Sequence, residues 1–423
     1  MIDFFVFLFL VSSFLLPPGV FRIVGLTPSA LLSSVLTIIA FFYLKERKKD
    51  VLSKKLIKVY SYYLFVYLLL IPLGSYMSLQ LQMHDIRGTF LEWQFPFWMI
   101  VLLNTRKRLE RCYWILVFVI LVMCLYDLYC VHVGYNPYCE YMCTRFGAEN
   151  DFAEVFADEN RGGLAGRFGS TFSHPVDYSV CLFVCLNILY FGKNYLNERR
   201  FSCFFYLIFP LLLVNLFFTG SRAAIVSLFF EIVYLCSCRF GLRRIIPIAV
   251  LSYSFLLFLG SFKSFGKYQP FVESVVCFWN DNVAAHSGVE GSSFSLRMDQ
   301  LSESFHEISG SSIFFGLGGG WPEICIDKEL NPSLMGFESI LFSGFTEFGV
   351  LGFFLIYVVF WRNLLTFNHR FVRTYNNYLY KILNSFIIAY VILSIMTGAY
   401  MWNFFMGFSA LAFRSVLIRD RVV

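Results

Sequence analysis

Long apolar stretches separated by short polar segments recur along almost the whole chain. A bilayer core of roughly 30 Å requires about 20 mostly apolar residues per helix. Stretches of this character run over 3–20, 24–44, 59–79, 91–103, 113–133, 175–191, 203–219, 223–238, 245–262, 345–361, 382–400 and 403–418. The pattern predicts an all-α, polytopic membrane helix bundle of about twelve spans. We expect residues 1–423 to form a single integral membrane domain.

Composition supports a membrane protein. With 58% hydrophobic and 15% charged residues and a mean hydropathy of +0.66, the chain carries more apolar surface than a water-soluble core could bury. Twenty-four of the 34 Lys and Arg residues fall in alternate connecting segments, at 45–58, 104–112, 193–200, 239–244, 362–381 and 414–421. Basic loops stay on the cytoplasmic side. This pattern predicts that both termini are cytoplasmic, and it accounts for most of the net charge of +6.

Two longer segments, 134–174 and 263–344, fall on the opposite side, and the larger one precedes the late spans. Both are acidic overall, and most of the basic residues outside the cytoplasmic segments are arginines. Arginine binds phosphate in a bidentate manner, whereas lysine acts as a point charge. These segments also contain Cys139, Cys143, Cys277 and Cys325. Disulfides within each segment and unpaired thiols both remain open.

Two arginine-bearing elements are candidates for binding an anion at this outer face. Gly220-Ser221-Arg222 predicts a tight turn between two apolar stretches, where Arg222 either snorkels to the interface or meets a lipid-borne phosphate. The segment 167–175 leads into a span, contains Arg167 and His174, and follows Arg161. The alternative for this segment is a basic loop followed by a helix with proline in its first turn.

Two further elements lie in the larger outer segment. Arg297 opens an amphipathic helix predicted from Ser295 to Ile308, and the glycines at 316–320 predict a turn at which two backbones approach closely. Glu338 and Ser339 place a carboxylate and a hydroxyl where the chain re-enters the membrane. Glu338 is a candidate general base; the alternative is that it only caps the helix that follows.

Motifs that the chain lacks also limit its function. It has no Walker lysine loop, no paired-cysteine metal spacing, no Gly-x-Ser-x-Gly elbow and no Asp-x-Asp pair. The sequence therefore argues against a nucleotide-driven pump and against a metal-dependent glycosyltransferase. Asp127 and Glu231 lie within predicted spans, where we expect hydrogen bonds between helices.

The order of these elements resembles the O-antigen polymerase and O-antigen ligase family of bacterial envelope proteins. The similarity lies in a Gly-Ser-Arg turn with its apolar helix at 220–230, an Arg-x-Gly-x-x-Phe element at 167–172, a Ser-x-Arg helix and Gly-x-Gly turn at 295–318, and a Glu-x-Gly-x-x-Gly segment at 347–352. It covers roughly residues 160–360.

The resemblance implies a multi-pass enzyme of the bacterial inner membrane that transfers a glycan from undecaprenyl diphosphate at the periplasmic face, without a metal or other cofactor. It implies a lipid-diphosphate-linked donor and acceptor as substrates and membrane lipid as surroundings, with a chain-length regulator and a flippase as candidate partners and no nucleic acid. Family ligases carry His followed by Asn, Ser or Gln where this chain has Glu338 and Ser339. This departure favours a polymerase of O-antigen or a related surface polysaccharide over a ligase.

Glycosyl transfer requires stabilisation of the leaving diphosphate and removal of a proton from the acceptor hydroxyl. We predict that four arginines contact the diphosphate or the substrate: Arg167, Arg222, Arg297 and Arg161. We predict Glu338 as the base, with His174 as the second candidate. Two alternatives remain open. One is a ligase that transfers polymer to a lipid or protein acceptor, and the other is a flippase or transporter of lipid-linked oligosaccharide, against which the lack of an internal repeat argues.

Overall fold

The computed structural model confirms the predicted all-α class and describes residues 1–16, 26–46, 50–74, 78–146, 169–172, 174–241, 247, 294–310, 312–334, 337–398 and 401–419. Throughout these ranges the regular structure is helical and no strand occurs. Arg161, Arg167, Cys277 and the predicted span 245–262 lie outside the described residues.

The described residues form seventeen α-helices. They are α1 (Ile2–Leu15), α2 (Pro28–Glu46), α3 (Val51–Leu70), α4 (Leu79–Leu102), α5 (Arg106–Val133), α6 (Pro137–Phe146), α7 (Pro175–Leu196), α8 (Arg199–Phe218), α9 (Arg222–Phe240), α10 (Phe294–Glu307), α11 (Ser312–Phe315), α12 (Trp321–Asp327), α13 (Ile340–Phe353), α14 (Val359–Phe367), α15 (Arg373–Tyr375), α16 (Asn377–Met396) and α17 (Trp402–Arg419). Short 3₁₀ turns cover Ile71–Leu73 and Pro332–Leu334, and π-helical turns at Phe354–Val358 and Asn368–Val372 join α13, α14 and α15.

Eight helical segments within the described ranges are long and apolar enough to cross a membrane. They are Pro28–Lys45, Val51–Leu73, Arg106–Val133, Pro175–Leu196, Arg199–Phe218, Arg222–Phe240, Ile340–Tyr375 and Asn377–Met396. Ile2–Leu15 and Trp402–Ile418 are shorter apolar helices that coincide with the first and last predicted spans. The predicted span 91–103 forms only the second half of α4, because the helix begins at Leu79 with a polar first half.

The chain packs as two compact units, each built from two separate parts of the sequence. Unit 1 comprises Met1–Leu32 and Glu110–Phe294, and unit 2 comprises Ser33–Leu109 and Ser295–Val423. In unit 1, α7 is buried along most of its length and packs against α8 and α9. Polar side chains join these helices, because the Tyr178 hydroxyl donates to Asn215 over 3.0 Å and the Asn187 amide donates to Glu231 over 2.9 Å. The second bond confirms the helix-to-helix role expected for Glu231.

In unit 2, α4 packs against α3 and α17, and α3 also contacts α14. Arg414 of α17 is only 2% exposed, yet its charge is paired. Its guanidinium donates to the Leu103 carbonyl and to Asp50, each over 3.2 Å, and to the hydroxyl of Ser53. Asp50 also caps the start of α3. A buried cation needs such partners, so this network fixes α17 against the ends of α3 and α4.

The segment predicted as the larger outer loop is helical where the structure describes it. Here α10, α12 and the start of α13 surround a small apolar core of Ile308, Leu317, Trp321, Cys325, Leu334, Phe337 and Phe342. Cys325 is buried as a free thiol. This core holds the amphipathic helix and the glycine turn against the membrane helix that follows.

Candidate functional site

The candidate site of unit 2 is built on a broken helix. In α13 the helix runs from Ile340, loses helical geometry at Gly349, where φ is +64° and ψ is −177°, and then resumes. A side chain at Gly349 would meet the backbone of Phe314 at about 2.5 Å. Only glycine fits such a conformation and such a close contact. The carbonyls of Thr346 and Glu347 lie in the turn that precedes this break.

The glycine turn at 316–320 satisfies those carbonyls. Leu317 N–H donates to the Thr346 carbonyl over 2.8 Å, and Gly318 N–H donates to the Glu347 carbonyl over 2.9 Å. The Glu347 carboxylate in turn accepts from Gly320 N–H over 3.1 Å. A side chain at Gly316 would overlap the backbone of Glu347. The structure therefore confirms the predicted close-approach turn and identifies its partner as the break in α13. Irregular backbone at membrane depth requires this kind of protein partner.

A second carboxylate lies behind the same turn. Asp85 of α4 accepts from the Tyr67 hydroxyl at 3.0 and 2.9 Å, and a side chain at Gly319 would collide with it. Burial raises the pKa of Asp85 to about 6, Glu323 also raises it, and the Tyr67 hydrogen bond opposes both. Neither Asp85 nor Tyr67 stands out from the sequence. No local spacing relates them to a turn more than 230 residues later.

The outward-facing side of this region carries two of the predicted site residues. Arg297 lies in the first turn of α10, and its Nη2 is 3.5 Å from Glu338 Oε2. The two side chains are 27% and 32% exposed, so both can meet a ligand. Burial lowers the pKa of Arg297, although Glu338 opposes the shift. An arginine starts so far above neutrality that it stays charged. The structure thus brings Arg297 and Glu338 together as a guanidinium–carboxylate pair.

Ser339, and not Glu338, caps the helix that follows. Ser339 is the N-cap of α13, and its hydroxyl accepts from Leu341 N–H over 3.1 Å. The backbone N–H of Glu338 is directed to the side chain of Gln300, at 3.4 Å. Gln300 belongs to the fully buried face of the predicted amphipathic helix, together with Ser304 and Ile308. The backbone of Glu338 is therefore anchored to α10, while its carboxylate points to Arg297.

The other described candidates belong to unit 1. Gly220 has a φ of +64° and makes the predicted turn, after which Arg222 is the first residue of α9. His174 is the N-cap of α7, where its Nδ1 accepts from Val176 N–H over 3.1 Å. In neutral His174 the proton must then lie on Nε2, so the ring lacks a lone pair to accept a substrate proton. This geometry weakens His174 as a base and gives it a capping role.

The residues following Arg167 are held firmly in unit 1. Ser170 N–H donates to Asp127 over 3.1 Å, the Ser170 hydroxyl donates to the Met123 carbonyl over 3.1 Å, and the Thr171 hydroxyl donates to the Phe14 carbonyl. Asp127 thus bonds to a connecting segment rather than to another helix, contrary to the expected helix-to-helix contact. Asp127 is fully buried, and its second carboxylate oxygen has no hydrogen-bond partner among the described residues. The Ser170 N–H therefore offsets part of the cost of burying this carboxylate.

These features define a helical membrane protein. It has a broken helix, a glycine turn hydrogen-bonded to the break, and an exposed guanidinium–carboxylate pair. Within the described ranges, no group of three or more His, Cys, Asp or Glu side chains is arranged to hold a metal ion. Comparison of the chain with protein-family models, with curated proteins and with solved structures finds no match in any of the three.

Proposed function

We propose that the chain is a polymerase of undecaprenyl-diphosphate-linked oligosaccharide repeat units, for O-antigen or a related surface polysaccharide. Its reaction is a metal-independent glycosyl transfer at the periplasmic face of the bacterial inner membrane. The proposal includes twelve spans, cytoplasmic termini, and outer segments at 134–174 and 263–344. Two arguments support this topology: the alternation of basic segments and the apolar helices already described.

The observation that carries the proposal is the pairing of Arg297 with Glu338. A guanidinium and a carboxylate, each about a third exposed, lie 3.5 Å apart beside the first turn of a membrane helix. Glycosyl transfer from a diphosphate carrier needs a cation for the leaving group and a base for the acceptor. Both are present here as neighbours. A guanidinium has five N–H donors in a plane, so one arginine can contact a carboxylate and a phosphate oxygen together.

In the proposed step, an acceptor hydroxyl attacks the anomeric carbon of the donor glycan. The new carbon–oxygen bond forms as the bond from that carbon to the diphosphate oxygen breaks, and the hydroxyl proton passes to Glu338. Arg297 contacts the departing diphosphate and stabilises its growing negative charge. From the family resemblance, Arg222, Arg167 and Arg161 are predicted as further contacts to the diphosphate or the substrate. In-line attack inverts the anomeric configuration.

Glu338 also favours a polymerase over a ligase, because it occupies the place at which the resembling ligases carry histidine. His174 does not restore a histidine base, since its Nδ1 caps α7. Glu338 is a carboxylate held beside an arginine, so the site offers a proton acceptor without a histidine.

Deletion of the gene, followed by separation of the surface glycan by length, tests the reaction class. A polymerase mutant retains single repeat units on the final acceptor, and this is the result we expect. Accumulation of full-length polymer on the lipid carrier would identify a ligase. Units trapped on the cytoplasmic side would identify a flippase. Either of these results would overturn the proposal.

Complementation of the deletion strain then tests the site. We expect Glu338→Gln and Arg297→Ala each to abolish chain growth, with the protein still present in the membrane. The matched controls are Glu329→Gln and Arg145→Ala, which change exposed residues and should restore full-length glycan. Full chain length in both Glu338→Gln and Arg297→Ala would refute the site.

A further inference from the structure

A groove of about 650 Å³ runs between α14 and α16 in unit 2. One wall follows α14 and the π-helical turn after it, from Val358 to His369, and the other follows α16, from Tyr380 to Ile392. The lining residues recur at steps of one, three or four positions on each helix, so each wall is one continuous helical stripe. This groove is separate from the Arg297–Glu338 pair and plays no part in the proposed reaction.

The groove has a polar end and an apolar remainder. The polar end lies near the turn that joins the two helices and is lined by Thr366, His369, Tyr380 and Asn384. Away from the turn the lining consists mainly of Val358, Trp361, Ile388, Val391 and Ile392. A surface that changes from polar to apolar along a membrane helix matches a lipid, whose headgroup is polar and whose chains are apolar.

Arg362 lies between the two parts of the groove, about one helical turn from Thr366. Its side chain is exposed. A long arginine side chain can lie along apolar surface while its guanidinium reaches the polar end. The second basic group at that end, His369, is paired through Nε2 with Arg373 over 2.7 Å. Arg362 is therefore the cation best placed to meet a ligand inside the groove.

The charged residues in this part of the sequence favour a ligand with negative charge. From residue 349 to 419 the sequence contains no Asp or Glu, but it contains Arg362, Arg370, Arg373, Lys381, Arg414 and Arg419. Arg414 already has its partner in Asp50. Of these basic residues, Arg362 lines the groove, and none of the residues that line it is acidic. Basic pockets between membrane helices favour anionic headgroups.

We propose that this groove binds one anionic phospholipid, with its phosphate on Arg362 and an acyl chain along Ile388, Val391 and Ile392. A free phosphate ion would use only the polar end and would leave the apolar walls uncovered. An acyl chain covers them at no cost in hydrogen bonds. The side of the membrane is the one that the basic segment 362–381 predicts, namely the cytoplasmic side.

Native mass spectrometry of the purified full-length protein tests the proposal, with phosphatidylglycerol, phosphatidylcholine and glycerol phosphate as probes. We expect phosphatidylglycerol to bind about tenfold more tightly than phosphatidylcholine, because the choline cation of phosphatidylcholine offsets the charge of its phosphate and weakens the charge-assisted contact with Arg362. Glycerol phosphate should not displace the bound lipid. Arg362→Ala should lower the affinity for phosphatidylglycerol about tenfold.

Two variants distinguish lipid binding in the groove from lipid binding elsewhere on the surface. Ile388→Trp fills the apolar part while leaving Arg362 intact, and it should reduce binding of phosphatidylglycerol by a similar factor. Arg370→Ala removes an exposed charge that does not line the groove, so binding should stay at the wild-type level. Wild-type binding by both Arg362→Ala and Ile388→Trp, or equal binding of the two lipids, would overturn the proposal. Full displacement by glycerol phosphate would reveal a small-anion site instead.

Discussion

Two glutamates nine residues apart occupy opposite environments in unit 2: Glu338 lies just before α13 and Glu347 lies within it. Glu338 is about a third exposed and pairs with Arg297, whereas Glu347 binds the glycine turn through its carboxylate and its carbonyl. The first is placed to meet a substrate and the second to hold the backbone. The environment of a carboxylate, rather than its position in a motif, therefore decides whether it can act as a base.

The largest loss of stability should come from filling the space between Gly316 and the backbone of Glu347. Gly316→Ala adds a methyl group that overlaps the backbone of Glu347 at a residue whose φ is +71°. We expect a loss of about 3 kcal/mol or more in the free energy of unfolding, because strain and overlap act together. Little folded protein should reach the membrane, as measured by fluorescence-detected size exclusion.

Gly310→Ala is the matched control for that variant. Gly310 has nearly the same φ, +70°, but a side chain there would meet nothing within 4 Å. We expect a loss of only about 1 kcal/mol from backbone strain. Equal losses in the two variants would mean that the turn is not packed against the break in α13.

The second largest change in stability should come from Asp85, which lies against Gly319 of the glycine turn. Because the folded state raises its pKa to about 6, the folded protein binds more protons than the unfolded chain between about pH 4 and 6. Its contribution to stability therefore falls as pH rises through that window and stays low above it. Asp85→Asn keeps an oxygen for the Tyr67 hydroxyl and removes the charge.

We expect Asp85→Asn to be more stable than the wild type at pH 8, by about 2 kcal/mol, and to lose this advantage as the pH falls to about 4. Thermal unfolding at several pH values measures it. Asp299→Asn changes an exposed carboxyl and should leave the wild-type pH dependence in place. A lower melting temperature for Asp85→Asn at pH 8 would show that the charged form is the one that folding favours.

The smallest loss of stability should come from removing the helix cap at Ser339, next to Glu338. Ser339→Ala removes the acceptor for Leu341 N–H at the start of α13. We expect a loss of about 1 kcal/mol and a drop of a few degrees in the melting temperature. Ser333→Ala, at an exposed position, is the control. An unchanged melting temperature in Ser339→Ala would mean that another group caps the helix.

Local features of the fold were predictable from the sequence, because they depend on residues close together in the chain. The amphipathic helix at 295–308, the turns at Gly220 and at 316–320, and most of the apolar helices follow from periodicity and glycine content. The start of α4 was not predictable in this way. Its polar first half is stabilised by contacts such as Tyr67 to Asp85, between different helices.

The candidate site was predictable in its residues but not in its arrangement. Arg297 and Glu338 were selected by residue type and by their place in the predicted topology, yet 41 positions separate them and no pattern indicates their contact. The sequence also left open whether Glu338 caps α13. Only the placement of Ser339 and Gln300 resolves that question. His174 was selected for its residue type, and its capping bond depends on backbone geometry that composition does not reveal.

The comparison of the two glutamates is tested most directly by making the same substitution at both. Membranes containing the wild type, Glu338→Gln or Glu347→Gln, at matched protein levels, would be supplied with lipid-linked repeat units, and the products separated by length. We predict at least a hundredfold slower chain growth for Glu338→Gln, because glutamine cannot accept the hydroxyl proton. Glu347→Gln should retain chain growth, because its side-chain oxygen still accepts from Gly320. Wild-type growth in Glu338→Gln, or loss of growth in Glu347→Gln alone, would contradict the account.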